Sequence, residues 1–478
     1  MKIVKNYFLN SSYQLLIVIL PIITIPYISR VLGPEGVGLN TFTFAVIQYF
    51  ILIGNVGITT YGNREIAYNQ VDRQRRSQIF WEISFLRFIT VGFSILLFLI
   101  FLFFQKDNFV VYLLQSVALI ASAFDISWYF MGVEKFSRTV GRNFLVSMLS
   151  VIFIFLFVKQ ESDLLIYIVI VTGSMLIGNL SLWPSLRREV DSPKLKKIRI
   201  KHHLLPTLQL FLPQIAIQIY VVANKNMLGI FDSITAVGYF NQSNSIILAL
   251  TPFVTSLGTV MLPRVSNMFA EGNSSEAKKM LEKSFEIMTA IAIPMMFGVM
   301  GIALKFAPFF FGKDFNSVGL LMMIQAPIIL FMAWSNVIGV QYLLPFNRLN
   351  HFTISVSIGA ILNVVINLIT IPVYGVVGAM VATVIAEFSV AVYQLYIVRK
   401  EFNIFNMMIW SWKYFLSGLI MFIVIYILNG KMVMNNHNLI LQMLIGCIIY
   451  IVLNVILRTG MFYQVKNMLF PKLDKEKG

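Results

Sequence analysis

The chain is predicted to be an all-α polytopic membrane protein, and three observations predict it. First, 58% of the 478 residues are hydrophobic and only 12% are charged, with mean hydropathy +0.80 and 42 Phe. Second, the apolar residues fall in runs of the length a bilayer-spanning helix needs, about 20 residues each. Third, the Lys and Arg concentrate in alternate gaps between those runs, which is the imprint of membrane insertion.

The runs define about 14 spans: 7–29, 39–62, 80–104, 109–131, 140–158, 164–186, 206–229, 236–260, 284–309, 316–344, 350–371, 373–398, 410–429 and 438–458. Prolines interrupt several of them, at 21 and 26 in span 1, 213 in span 7, 252 in span 8, 294 in span 9 and 327 in span 10. Each removes a backbone hydrogen bond and permits a kink. Proline is also simply more frequent in membrane helices than in soluble ones.

With residue 1 inside, the inner segments and the span edges beside them (Arg142, Lys413 and Arg458 at the edges) hold 29 of the 37 Lys and Arg and the outer gaps five, with Arg87, Lys225 and Lys305 deeper inside the spans. An even number of spans then puts both termini on the inside. The net charge of +16 also raises nucleic-acid binding, for which the run from Pro193 to His203 is the best candidate. That run lies between spans 6 and 7, where a basic inner loop touching anionic headgroups is expected, so no nucleic-acid partner is inferred. Cys447 is the single cysteine, which excludes a disulfide framework and a cysteine metal site. The four histidines, 202, 203, 351 and 437, fall in loops or at span edges without a ligand partner at helical spacing, and are expected to be solvated.

No outer gap exceeds roughly ten residues, which leaves no room for a loop of catalytic carboxylates over a substrate, and no phosphate loop or nucleophile set is present. The expectation is a transporter without a cofactor, not an enzyme. An internal echo supports it. Arg30-Val31-Leu32-Gly33 followed by Val37-Gly38 corresponds to Lys225-Asn226-Met227-Leu228-Gly229 followed by Val237-Gly238; Trp128…Gly132 corresponds to Trp334…Gly339. The echo divides the chain into an N-terminal lobe at 1–190, a basic inner linker at 191–205, a C-terminal lobe at 206–400, and spans 13–14 with a tail at 401–478. Transporters commonly repeat a half and bind their cargo between the halves.

The stretch Ser29 to Gly38 (SRVLGPEGVG), with Gly57-Ile58 and Tyr61 to Ala67 (YGNREIA), resembles the N-terminal signature of Wzx-type flippases. These form the polysaccharide branch of the multidrug/oligosaccharidyl-lipid/polysaccharide (MOP) exporter superfamily. Leu257 to Arg264, Trp334 to Tyr342 and Ala386-Glu387-Phe388 agree with it. The resemblance implies two six-helix lobes forming a V around a central cavity, plus two extra C-terminal helices. It implies a protein of the bacterial cytoplasmic membrane that turns undecaprenyl-diphosphate-linked oligosaccharide from the inner to the outer leaflet for capsule or O-antigen-type polymer, alongside the polysaccharide polymerase machinery. An ion-coupled multidrug exporter and a peptidoglycan-precursor flippase share the superfamily and remain as alternatives. The chain departs from its relatives around span 7: Asn224 replaces an Asp before the Lys, and Asn241 and Asn244 replace a Glu and a Lys. A carboxylate that could couple transport to an ion is missing there.

Such a cargo needs fixed positive charge for its diphosphate and a wet path for its sugars. Ionisable residues inside spans are costly and therefore candidates. Lys225 and Arg30, at equivalent places near the outer ends of spans 7 and 1, are expected to receive the diphosphate; the alternative is that both snorkel to the headgroups. Arg87 and Asp125 lie at similar depth, ~10 Å from the inner face at 1.5 Å per residue. They form either a structural ion pair or a diphosphate-binding Arg87 held by Asp125. Glu387, in the middle of span 12, is an H⁺ or Na⁺ coupling site or a hydrogen-bonded structural acid. Lys305 is expected to snorkel. Amides at 14, 55, 214, 218, 224, 242, 244, 363 and 367 either line a sugar-binding cavity or bond between helices.

Overall fold

The computed structural model describes residues 2–193, 198–271, 273–346 and 348–461. Residues 194–197 of the basic linker and the tail from 462 onward lie outside the described residues, as do the side chains of Gln14 and Gln214. The apolar runs are helical, with short breaks inside several of them, as at 56–57, 124–126 and 326–327. Among the described residues, nine helices are long and apolar enough to cross a membrane, or ten if one bent pair counts as a single span. The chain divides into two compact units, Met1–Gly238 and Tyr239–Gly478.

In the first unit, α1 (Lys2–Asn55) carries the first two apolar runs without an intervening loop; the chain changes direction at Gly33, whose φ of 65° and ψ of 177° suit only glycine. Val56 and Gly57, both at positive φ, separate α1 from α2 (Ile58–Tyr68). Asp72 caps α3 (Arg73–Phe104) by accepting the Arg75 amide at 3.0 Å. The fourth run is broken into α4 (Phe109–Ala123) and α5 (Ser127–Gly132). Then follow α6 (Phe136–Phe157), α7 (Leu164–Leu180), the short α8 (Trp183–Leu186) and α9 (Ile200–Phe231). α9 is the seventh apolar run, and it packs against α1, α2 and α3 within this unit.

The boundary falls within α10 (Ile234–Ala270). Beyond it lie α11 (Ser274–Phe311), α12 (Asn316–Gln325) and α13 (Ile328–Ser335). A π-helical stretch, Asn336–Leu343, follows directly. α14 (Leu349–Val398) holds two apolar runs joined at Gly375, where φ is 54°. The short α15 (Ile404–Met408), α16 (Ser411–Lys431) and α17 (Asn436–Ile456) complete the unit. α11 is its centre, contacting α12, α13, α16 and α17.

Lipid is as apolar as leucine, so packing rather than water exclusion holds such helices together. The tryptophan echo has a structural counterpart in each unit. Trp128 stacks on Phe80 with centroids 5.6 Å apart and planes 22° apart; Trp334 stacks on Phe285 at 5.7 Å and 21°. The glycine echo does too. A Cβ on Gly38 would lie 1.9 Å from the Ile234 carbonyl oxygen, and one on Gly238 would lie 2.2 Å from the Pro34 carbonyl oxygen. The two helix segments carrying Val37-Gly38 and Val237-Gly238 therefore meet backbone to backbone, a separation no residue with a side chain allows.

Candidate functional site

Asp125 sits in the break between α4 and α5, and a helix broken inside a membrane must have its freed backbone groups satisfied by neighbours. Three side chains do this. Arg87 Nη1 donates to the Asp125 carbonyl oxygen. Trp183 Nε1 donates to the Phe124 carbonyl at 2.9 Å, and Asn179 Nδ2 to the Ala121 carbonyl at 2.8 Å. The Asp125 carboxylate accepts the Ser127 amide at 2.9 Å and so starts α5. Its other oxygen stands 3.9 Å from Arg87 Nη1. Arg87 is 3% exposed, and its Nη2 donates to Asn55 Oδ1 at 2.6 Å and Thr59 Oγ1 at 3.0 Å. The expected partners do meet. The ion pair is only one of four contacts, and the shorter ones go to a carbonyl, an amide and a hydroxyl.

A second buried cluster joins the start of α9 to α2 and α3. His203, expected to be solvated, is instead 2% exposed. Its Nε2 lies 2.8 Å from Glu82 Oε2 and its Nδ1 lies 2.8 Å from the Tyr61 hydroxyl. The other Glu82 oxygen accepts the Arg199 amide and Gln78 Nε2, each at 2.9 Å. With the Nε2–H tautomer facing the carboxylate, Tyr61 donates to Nδ1 and the chain of hydrogen bonds closes. The expectation failed because the partners of His203 lie 121 and 142 residues away in sequence.

Lys225 lies near the far end of α9, half-buried; among the described residues no hydrogen-bond or ion-pair partner meets it. Asn224 and Asn226 beside it are buried. Arg30 is exposed, one turn before the Gly33 bend of α1, and α1 packs on α9. Glu387 is half-buried in the second half of α14. The amides separate into two groups. Gln325 accepts from Ser243 at 2.8 Å and donates to Asn244 at 2.9 Å, and Asn367 donates to Asn363 at 3.1 Å, all within the second unit. Gln218, by contrast, is exposed. Lys305 donates to the carbonyls of Gly430 and Met432, both at 2.8 Å, and so caps the C-terminus of α16.

One carboxylate follows the last long helix of the repeat in each unit and meets one or more cations from the start of a helix. Glu189 binds Lys135, and Arg138 at 3.2 Å; Glu401 accepts from Tyr342 and Arg348. Burial pushes the Glu189 carboxyl up, but the Lys135 hydrogen bond and the charges of Lys135, Arg138 and Arg76 outweigh it, leaving it below the usual value of 4.5. Burial likewise raises Glu401, while the bonds from Tyr342 and Arg348 and the charges of Arg348 and Lys278 bring it below that value. A depressed folded pKa contributes stability that is present above the unfolded pKa and is lost as pH falls through the folded one. The melting temperature should therefore fall on acidification below about pH 4.5. The double variant Glu189→Gln, Glu401→Gln should flatten that acid limb; an unaltered limb would refute the assignment.

Long apolar helices, two of them bent at glycines and one broken at residues 124–126 and braced by a buried Arg from its neighbour, define a multi-pass membrane protein. The profile of polysaccharide biosynthesis proteins matches residues 3–269, and the chain belongs to that family. The resemblance read from residues 29–38 and 57–67 is thereby shown. A protein of Escherichia coli (strain K12) that bears the name of an O-antigen transporter is 23% identical over 392 residues, covering 80% of this chain and 93% of that one. Among solved structures, the lipid II flippase MurJ in an inward closed conformation aligns with a TM-score of 0.75 at 18% identity, over 94% of this chain and 98% of that chain. An inward-facing multidrug resistance MATE family transporter of the MOP superfamily aligns at 0.62 and 14% identity, over 80% and 94%. The fold is that of the MOP exporters, and the family and these neighbours are transporters and flippases rather than catalysts.

Proposed function

We propose that the chain turns a polysaccharide precursor carried on a lipid diphosphate, of the undecaprenyl type, from the inner to the outer leaflet of a bacterial cytoplasmic membrane, with both termini inside. The product is an O-antigen- or capsule-type polymer, and the polymerase that receives the repeat units is the natural partner. Two six-span lobes with an added C-terminal pair would alternate access to the cargo. One observation carries the reading beyond the family: Lys225 is held half-buried in an apolar helix with no counter-charge among the described residues. A membrane cation without a partner marks a place for an anion to arrive, and a diphosphate is the anion such a cargo carries. Arg30, on the neighbouring α1, adds a second cation for it. Arg87 and Asp125 serve in this reading as the brace of the broken α4–α5 span, with Arg87 reached by diphosphate only if that span opens. Glu387 is proposed as the coupling carboxylate for H⁺ or Na⁺.

Lys225→Ala should abolish polymer export while the protein still reaches the membrane, and the lipid-linked oligosaccharide should accumulate on the inner leaflet. Undiminished export would overturn the role of Lys225. Accumulation of peptidoglycan precursor instead would reassign the cargo.

A further inference from the structure

Between α6 and α7 lies a groove of about 750 Å³ that the transport reading does not use. Its walls are apolar and open: Leu145 is 62% exposed, Leu149 51% and Ile177 67%. Both helices are apolar enough to span the membrane, and little of either is buried inside the protein, so these walls face lipid. At one end the groove is strongly basic. Arg138, Arg142 and Arg188 line it. Arg138 and Arg142, four residues apart, share one face of α6.

The guanidinium groups are held in place from behind. Arg138 Nη1 donates to the Ser185 carbonyl at 3.1 Å and Nη2 lies 3.2 Å from Glu189; Arg142 Nη1 donates to Asn179 Oδ1 at 3.1 Å. Glu189 is itself shared with Lys135, so one carboxylate stands behind several cations. Arg142 is six residues inside α6, roughly 9 Å along the helix. The first residues of α6 are polar and its apolar run begins at 140, so Arg142 stands at the mouth of the span, at the level where a phosphate headgroup meets the open groove.

We propose that this groove binds one anionic phospholipid of the inner leaflet, its phosphate on Arg138, Arg142 and Arg188 and an acyl chain along Leu145, Leu149 and Ile177. Paired Arg side chains present forked donors that match phosphate oxygens, and basic pockets between spans on the inner side suit phosphate headgroups. The glycan-bearing cargo fits less well. Of the eleven lining residues, Ser181 and Ser185 are the sole uncharged polar ones, too few to satisfy a sugar chain.

Native mass spectrometry of the full-length protein, titrated with phosphatidylglycerol and separately with phosphatidylcholine, tests this. One phosphatidylglycerol should bind at least tenfold more tightly than phosphatidylcholine. Arg138→Gln with Arg142→Gln should remove that preference. Leu145→Trp, at a lipid-exposed position that keeps every arginine, should block the groove and weaken phosphatidylglycerol tenfold. Equal binding of the two lipids, or binding indifferent to Leu145→Trp, would overturn the site. Glycerol phosphate competing as well as the whole lipid would overturn the acyl contact. Undecaprenyl diphosphate displacing the phospholipid one for one, by a route that Leu145→Trp closes, would assign the groove to the cargo instead.

Discussion

Arg87→Ala should be the most destabilising single substitution in the first unit, and exchanging the two charges should not rescue it. Removing one side of a buried ion pair costs about 3–5 kcal/mol, because the remaining groups are left without partners. An ordinary interhelical hydrogen bond in a membrane is worth only ~0.6 kcal/mol. Arg87 belongs to the costly class: it is 3% exposed and it satisfies a carbonyl that the α4–α5 break has freed. At roughly 2–4 °C per kcal/mol for a unit of this size, the melting temperature should fall by about 10 °C. Arg87→Lys should recover only part of this, since one ammonium cannot reach Asn55, Thr59 and the Asp125 carbonyl in the directions the guanidinium fork does. In the exchanged variant, Arg87→Asp with Asp125→Arg, the carbonyl, the amide and the hydroxyl would face a carboxylate that cannot donate to them. Restoration of stability by that exchange would show that the 3.9 Å ion pair outweighs the shorter contacts.

Glu82→Leu should come next, and it should damage the attachment of α9 rather than the packing of α3. The substitution strands buried His203, at a cost of about 1–3 kcal/mol for a buried group left without its hydrogen bond, and also removes the acceptor of the partly exposed Arg199 amide and Gln78. Glu82→Gln keeps the shape and one acceptor oxygen, so a loss of about half that size is expected. Hydrogen exchange locates the damage: amides at the start of α9 should lose protection while those of α3 around Ser94 keep theirs. Uniform loss along α3 would mean that Glu82 acts through its own helix alone.

The helices were legible because a membrane imposes a length and a hydropathy on every span, and Leu or Phe satisfies that anywhere along the run. The break at Asp125 was not, because Phe124-Asp125-Ile126 contains neither Pro nor Gly. The lone Asp announced that something was there, and its charge suggested an ion pair, yet the main partner of Arg87 is the Asp125 backbone. His203 sat in a basic stretch that explained it well enough, and nothing nearby pointed to Glu82. Lys305 looked like a headgroup-seeking lysine because its acceptors, at 430 and 432, come from a helix end 125 or more residues later. Charge patterns reveal where a chain departs from its solvent; they do not reveal the distant group that accommodates the departure.

The close approach of the two Val-Gly helix segments has a consequence for how this sequence can drift. Gly38 is confined by the oxygen of residue 234, and Gly238 by the oxygen of residue 34. Both obstacles are main-chain atoms, present whatever side chains occupy those positions. The contact is therefore blind to most of the surrounding sequence: Val31, Glu35, Thr235 and their neighbours can change without altering it, provided neither glycine gains a carbon. Two main-chain oxygens set the limit of this approach, so it is the absence of a side chain at residues 38 and 238, rather than the identity of their neighbours, that the approach demands.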